Sequence, residues 1–244
     1  MKFAFGMTIP EAWENALVRL RKHGKWIDTE YGERAWDCPM TIIVSDPSRE
    51  PRVHLKGIVA GHIKGLFEYV DEVLEGTQDF RIGKDWHYTY HERLFNYRGI
   101  DQISAVIEKL KKVPYSRRAQ AITWIPEKDI NAEAPPCVQR LWFRVERDQL
   151  VLHVHIRSND AFKCCFMNMF AMTELQRRVA SELQVNIGRY VHIADSFHVY
   201  ERDWKWFQAF INQIKDKRSK KYWMTTQELI NRSLQRRNQF LPSL

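Results

Sequence analysis

Apolar positions recur along this chain with two periods, helical and alternating, interleaved from end to end. Pro10 to His23 places Trp13, Ala16, Leu17 and Leu20 on one helical face. The run MTIIVS, Met40 to Ser45, reads as a strand, and the polar SDPSREPR that continues from it reads as a loop. Gly61 to Leu74 reads as a helix stopped by Gly76. Ile100, Ile103, Val106, Ile107 and Leu110 keep helical spacing until Pro114, and AQAITW, Ala119 to Trp124, reads as a strand. Val138 to Glu146 and Leu150 to Ser158 alternate on either side of Arg147-Asp148-Gln149, which predicts a hairpin. Asn159 to Leu183 is too apolar for a surface helix and is expected to lie centrally. Gly188 to Trp204 reads as a strand pair or one bent strand, with helices after it at Trp204 to Ile214 and Thr226 to Arg237. Helices interspersed with antiparallel strands, with no repeat and no Gly/Ser linker, predict an α+β fold: one mixed sheet flanked by helices, in a single domain over residues 1–244.

Composition narrows the classes. No stretch approaches the roughly 18 apolar residues of a membrane span, and Pro10 and Glu11 interrupt the N-terminal apolar patch before a signal core forms. A soluble, cytoplasmic protein is expected. The formal net charge of +8 admits nucleic acid, anionic lipid or phosphorylated small molecules as partners. The basic stretches KDKRSKKYW, Lys215 to Trp223, and RSLQRR, Arg232 to Arg237, read as solvated surface. The four cysteines, Cys38, Cys137, Cys164 and Cys165, form no C-x-x-C pair, which excludes a disulfide framework or a zinc pattern and fits a reducing compartment.

Four groups of residues carry candidate chemistry. Pro135-Pro136 delivers Cys137 to the start of the hairpin, and Arg157 waits at its far end. A cysteine is a nucleophile only as thiolate, for which a cationic neighbour is needed; without one it is a small buried hydrophobe. His153 and His155 share a strand face and, with His192 and His198, could form a metal site, but no carboxylate or cysteine stands at ligand spacing, and no metal is expected. Asn168 interrupts the apolar run FKCCFMNMFAM on a helical stripe with Asp160 and Cys164. A buried amide needs both a donor and an acceptor partner, either backbone or a planar ligand edge such as a pyrimidine. Arg117-Arg118 reads as solvated charge or, with Arg157 and Ser158, as a phosphate fork.

Together these pieces resemble the folate-dependent thymidylate synthase family. The matching segments are IDQI with LKKVPYSRR (Ile100 to Arg118), PPC ending at Cys137, RSNDAF from Arg157, the Asn of FMN at Asn168, and HVY from His198 to Tyr200. Cys137 follows Arg118 by 19 residues, Arg157 follows Cys137 by 20, and Asn168 and His198 follow Arg157 by 11 and 41, all in the family's register. The resemblance implies a thymidylate synthase-like fold with a sheet face at a homodimer interface. It implies methylation of dUMP to dTMP, with 5,10-methylenetetrahydrofolate as one-carbon donor and reductant. Cys137 is then expected to attack C6 of the pyrimidine, and Arg157 and Ser158 to bind the phosphate. Arg117 and Arg118 would serve the other subunit's nucleotide. Asn168 would bind the base edge, His198 and Tyr200 the sugar 3′-hydroxyl. Asp160 and Trp86 are assigned to the folate. The catalytic carboxylate is sought at Glu68 or Glu72, with Tyr88 and Tyr90 lining the same pocket.

The sequence departs from the family at Val138 and Ile156, which stand for His and Gln, at Cys164 for Gly, and at Ser196-Phe197 for Asp-Thr. These departures keep two alternatives in view: a pyrimidine-nucleotide 5-hydroxymethylase on the same scaffold, acting on dCMP, CMP or dUMP, and a basic nucleic-acid-binding protein without catalysis.

Overall fold

The computed structural model describes residues 1–58 and 63–240. The chain runs β1 (Lys2–Gly6), α1 (Ile9–His23), β2 (Lys25–Asp28), β3 (Arg34–Val44), β4 (Val53–His54), α2 (Ile63–Glu75), α3 (Tyr90–Phe95), α4 (Gln102–Lys112), β5 (Gln120–Ile122), α5 (Pro126–Asp129), β6 (Val138–Glu146), β7 (Gln149–Asp160), α6 (Cys165–Glu182), β8 (Asn186–Tyr200), α7 (Trp204–Lys215), β9 (Trp223–Met224) and α8 (Thr226–Phe240). Seven strands form one sheet in the order β1-β3-β8-β7-β6-β5, with β2 paired to β3. The β1–β3 and β7–β8 pairs are parallel and the others antiparallel, so the sheet is mixed as expected.

Helix α1 follows its sequence signals. Thr8 caps it by accepting from the Glu11 amide at 3.4 Å, basic residues occupy its last turn, and Ala12, Trp13, Ala16, Leu17 and Leu20 are buried. Gly6 ends β1 where a Cβ would stand 2.3 Å from the Ala12 nitrogen, so only glycine lets the strand run this close to the helix. Gly76, at φ +65°, ends α2 as expected; the expected start at Gly61 lies outside the described residues. Helix α4 starts after the Asp101 cap, later than its apolar spacing suggested, and Ile100 is left 59% exposed.

The hairpin forms with a tighter turn than expected. Glu146 pairs with Gln149, and Arg147 and Asp148 alone turn the chain, both at positive φ. Strand β7 then runs two residues beyond Ser158. Asp160 pairs with His198, and the Ala161 amide donates to the His198 carbonyl at 2.7 Å, so the ladder claims residues 159–161. The long helix therefore begins at Cys165 and not at Asn159, and Asp160 belongs to the strand. The expected strand at Gly188 to Trp204 is one bent strand, β8, that stops at Tyr200; a 3-10 turn follows over Glu201–Asp203, and the register of β8 against β3 shifts between Cys38 and Met40.

Helix α6 is central, as its composition demanded. Phe166, Met169, Phe170, Met172, Leu175 and Val179 are all at most 2% exposed. On the opposite face of the sheet, two registered rows cross five strands: Phe3–Thr41–Ile193–His155–Arg140 and Phe5–Ile43–Val191–His153–Trp142. Phe3 and Phe5 are 52% and 57% exposed, an unusual apolar surface for a sheet.

Candidate active site

The Pro135-Pro136 turn has no amide protons of its own, and its carbonyls are bound from β7. The Arg157 guanidinium donates from Nε to the Pro136 carbonyl at 3.1 Å and from Nη2 to the Pro135 carbonyl at 2.7 Å. Its backbone amide donates to the Cys137 carbonyl at 2.9 Å. From the other side, the Val138 amide donates to the Tyr90 hydroxyl at 3.2 Å. Cys137 is thus fixed in backbone and half-buried in side chain. Burial pushes its thiol up from the ordinary range, and the Arg157 charge opposes that shift. No described carboxylate neutralises Arg157, so the site keeps a free positive charge beside the sulfur.

Three tyrosines wall the cysteine. Tyr88 and Tyr90 stand edge to face with ring centroids 5.6 Å apart, and Tyr69 reaches in from α2. Burial raises all three phenols, and Cys137 contributes to each shift, which marks their common proximity to it. The Tyr69 hydroxyl donates to Oδ1 of Asn168 at 2.6 Å. That contact fixes the amide: Oδ1 faces the phenol, and Nδ2 is left as the outward donor. Next to this cluster lies a cavity of about 330 Å³ lined by Glu72, Asp85, Trp86, His87, Tyr88, Thr89, Tyr90 and Ala134. Burial raises Glu72 to about 7, against the opposing charge of Arg81. Arg81 also covers Trp86, 4.4 Å from its ring centroid.

The end of β8 closes the site. Asp160 accepts the Phe162 and Lys163 amides on Oδ1 at 3.0 and 2.8 Å, leaving Oδ2 uncommitted by them. Burial pushes the Tyr200 phenol up to about 12, with Tyr31, Asp160, Cys137 and Cys164 among its titratable neighbours. His198 lies against Tyr200 edge to face at 4.8 Å. Ser158 pairs with Ser196 in the β7–β8 ladder.

Cys137, Arg157, Asn168, Asp160, Tyr200, His198, Glu72 and Trp86 therefore converge around one corner of the sheet, with Ser158 on the adjoining strand. Glu68 is exposed, and of the two glutamates Glu72 lines the cavity. Arg117 and Arg118 are exposed beside the edge strand β5 and make no ion pair with described residues. The four histidines do not meet. His192 turns into the core, whereas His153 and His155 lie on the opposite sheet face. Asp160, Cys164 and Asn168 do not share one helix, because α6 begins after Cys164. Val138 and Ile156 form a fully buried apolar pair across β6 and β7.

Tyr69 and Asp37 were not singled out by the sequence, and Ser196 stood out only as a departure from the family's pattern. Tyr69 meets Asn168 across 99 residues and has no local pattern to mark it. Asp37 and Ser196 meet only through the pairing of β3 with β8.

Fold and site together define an α+β protein with a cysteine held at a sheet corner, an unneutralised arginine beside it and an aromatic cavity in front. The thymidylate synthase family model matches residues 25–238, and the chain belongs to that family. A protein of Methanosarcina barkeri named "Putative thymidylate synthase" is 33% identical over 211 residues, covering 85% of this chain and 93% of that protein. A Methanocaldococcus jannaschii protein of the same name is 31% identical over 213 residues, covering 83% and 93%. Among the described residues, no helix is long and apolar enough to cross a membrane.

Proposed function

We propose that this protein converts dUMP to dTMP, with methylenetetrahydrofolate as cosubstrate and Cys137 as nucleophile. The observation that carries the reading is the gathering of Cys137, the unneutralised Arg157 and the keyed amide of Asn168 around the Tyr69, Tyr88 and Tyr90 cluster that borders the cavity. Nucleotide phosphate brings negative charge to Arg157, Ser158 and, across a homodimer, to Arg117 and Arg118 of the second subunit. Asn168 presents Nδ2 to O4 of uracil, while its Oδ1 keeps a second lone pair for N3–H. The Cys137 thiol loses its proton and the sulfur bonds to C6. The C5–C6 π pair moves toward C5 and O4, where the Asn168 donor stabilises the developing charge. C5 is then the carbon nucleophile. When bound, the folate supplies the one-carbon unit and a hydride. The planar walls Trp86, Tyr88 and Tyr90 suit a stacked pterin, and Asp160 Oδ2 can accept from its ring nitrogens. Glu72, held near neutrality, can donate and accept protons at this cavity. Once C5 carries the one-carbon unit its proton must leave, for which Glu72 or a water held by it would be the acceptor, and expulsion of Cys137 as thiolate then restores the C5–C6 double bond.

The apolar rows on the outer sheet face support the homodimer. Phe3, Phe5 and the half-buried Ile43 present an apolar patch on that face, of the kind a twofold interface buries.

A second reading, 5-hydroxymethylation, has one feature in its favour. Tyr88 and Glu72 both line the cavity and their polar atoms can order a water there, and water in place of hydride gives the hydroxymethyl product. Incubation with methylenetetrahydrofolate and each of dUMP, dCMP, UMP and CMP, followed by mass analysis, decides between them. The expected product is dTMP from dUMP; a hydroxymethyl nucleotide overturns the methylase reading.

A further inference from the structure

Two further residues, Asp37 and Ser196, form a chain of contacts that ends on His198. Ser196 Oγ contacts Oδ2 of Asp37 on one side and Nδ1 of His198, at 3.1 Å, on the other. The three side chains come from neighbouring strands, since Asp37 pairs with His198 across β3 and β8.

The proton count in this chain of contacts has one solution. A serine hydroxyl owns one proton, and an ionised carboxylate only accepts. Ser196 therefore donates to Asp37 and can offer His198 only a lone pair. Nδ1 of His198 must then be the donor. Burial lowers the His198 pKa, so near neutral pH the ring carries a single proton. Nε2 is left bare, and no described residue donates to it.

We infer that Asp37 and Ser196 are positioning residues that hold His198 as the Nδ1–H tautomer, so that Nε2 accepts a hydrogen bond from the free 3′-hydroxyl of a nucleotide. The inference rests on the proposed nucleotide reading and makes it more specific. A free 3′-hydroxyl is a donor, whereas a 3′-phosphate or an internal phosphodiester offers only acceptors to a bare nitrogen. The site thus selects a 5′-mononucleotide and rejects chain-internal nucleotides of DNA or RNA. Asp37 supplies the negative end of the relay from β3, one strand away from the histidine, and Ser196 passes its polarity on.

Calorimetric Kd values for dUMP and 2′,3′-dideoxy-UMP test this. In the wild type, loss of the 3′-hydroxyl is expected to weaken binding about tenfold or more, the worth of one hydrogen bond to a desolvated acceptor. His198→Ala should bring the ratio near one. Asp37→Asn and Ser196→Ala should each lower the ratio to about threefold or less, while dideoxy-UMP binding stays unchanged. An undiminished ratio in both variants overturns the relay and leaves the nucleotide reading standing. A wild type that binds neither ligand overturns that reading, and the relay with it. Nitrogen-15 NMR of the wild-type histidines, with His198 assigned by difference against His198→Gln, gives the tautomer without any folding risk from the relay variants. Nδ1–H is expected, and Nε2–H overturns the inference.

Discussion

His192 and His198 lie six residues apart on β8, both buried, and both are kept neutral by burial. Their surroundings differ in one respect. At His192 the Tyr190 hydroxyl donates to Nδ1 at 2.9 Å, and Nε2–H donates to Asn159 Oδ1 at 2.8 Å. Both nitrogens are committed within the protein. At His198 the hydrogen-bonding contacts among the described residues are all with Ser196, its hydroxyl at Nδ1 and its backbone, and no side chain meets Nε2. Two arginines repeat the contrast. Arg93, 1% exposed, meets Asp129 through two hydrogen bonds of 2.9 and 3.0 Å and is neutralised. Arg157 meets two neutral carbonyls and is not. In these two pairs burial alone does not separate the committed group from the open one; what differs is whether a charge or lone pair is left over beside Cys137. Open valence is not confined to this corner, since His153 Nε2 and the Tyr97 hydroxyl are also buried without a hydrogen-bond partner among the described residues.

The largest effect expected is at the cysteine. Cys137→Ser should abolish turnover of dUMP, because a serine hydroxyl at this site has no base close enough to make it a comparable nucleophile. Nucleotide Kd should stay within about fivefold, since the phosphate and base contacts lie on other residues. Turnover within about tenfold of wild type in a steady-state assay removes Cys137 as nucleophile.

The arginines give the next test. Arg93→Ala orphans the buried Asp129 carboxylate and is expected to cost about 3–5 kcal/mol of stability in urea unfolding. Arg157→Ala should cost less, about 1–2 kcal/mol, while weakening nucleotide binding at least tenfold. Equal stability losses with equal binding losses break the distinction between the two regions.

Asn168→Asp probes the base edge. The Tyr69 hydroxyl can still donate to one carboxylate oxygen, and the other then faces the base as an acceptor. Uracil O4 is repelled, and the cytosine amino group is welcomed. One such hydrogen bond is worth about 1–3 kcal/mol, so the dUMP:dCMP preference in kcat/KM should move toward dCMP by at least tenfold. Tyr69→Phe should loosen the amide and lower the same ratio less, by about threefold. A wild type that already prefers a cytosine nucleotide contradicts the keyed amide.

The contrast between committed and open groups was only partly visible in the sequence. The β6–β7 hairpin was legible nearly residue by residue, because alternation is a local signal. Strand β1 was not: KFAFG is five residues long, and its partner in β3 lies 38 positions on. The start of α6 lies later than the expected Asn159, because the β7–β8 ladder holds Asn159 and Asp160 in the strand, a pairing no local pattern reveals. Around the site, Cys137, Arg157, Asn168 and His198 were legible through their order and spacing. Tyr69 and Asp37 were not, since each reaches its partner through tertiary packing of separate elements.

The smallest effect expected comes from the committed histidine, and its sign follows from proton binding. Burial lowers His192 from 6.5 to about 3 in the folded protein, while the unfolded chain keeps the ordinary value. Between these values the unfolded state binds more protons, so stability rises with pH across that window and is lost as pH falls. The His192 contribution to the slope approaches about 1.4 kcal/mol per pH unit below the unfolded value. His192→Gln can keep a donor to Asn159 and an acceptor for Tyr190 without titrating. Urea unfolding of both proteins from pH 7 to pH 4.5 should therefore show a shallower acid decline in the variant, with nucleotide Kd unchanged at pH 7. The same substitution at His198 should do the reverse, weakening dUMP binding with a smaller change in the acid slope, because His198 is less deeply buried and has Asp37 opposing its shift. An acid slope unaltered by His192→Gln would mean that the committed ring is not held neutral, and the comparison between the two histidines would fail at its structural end.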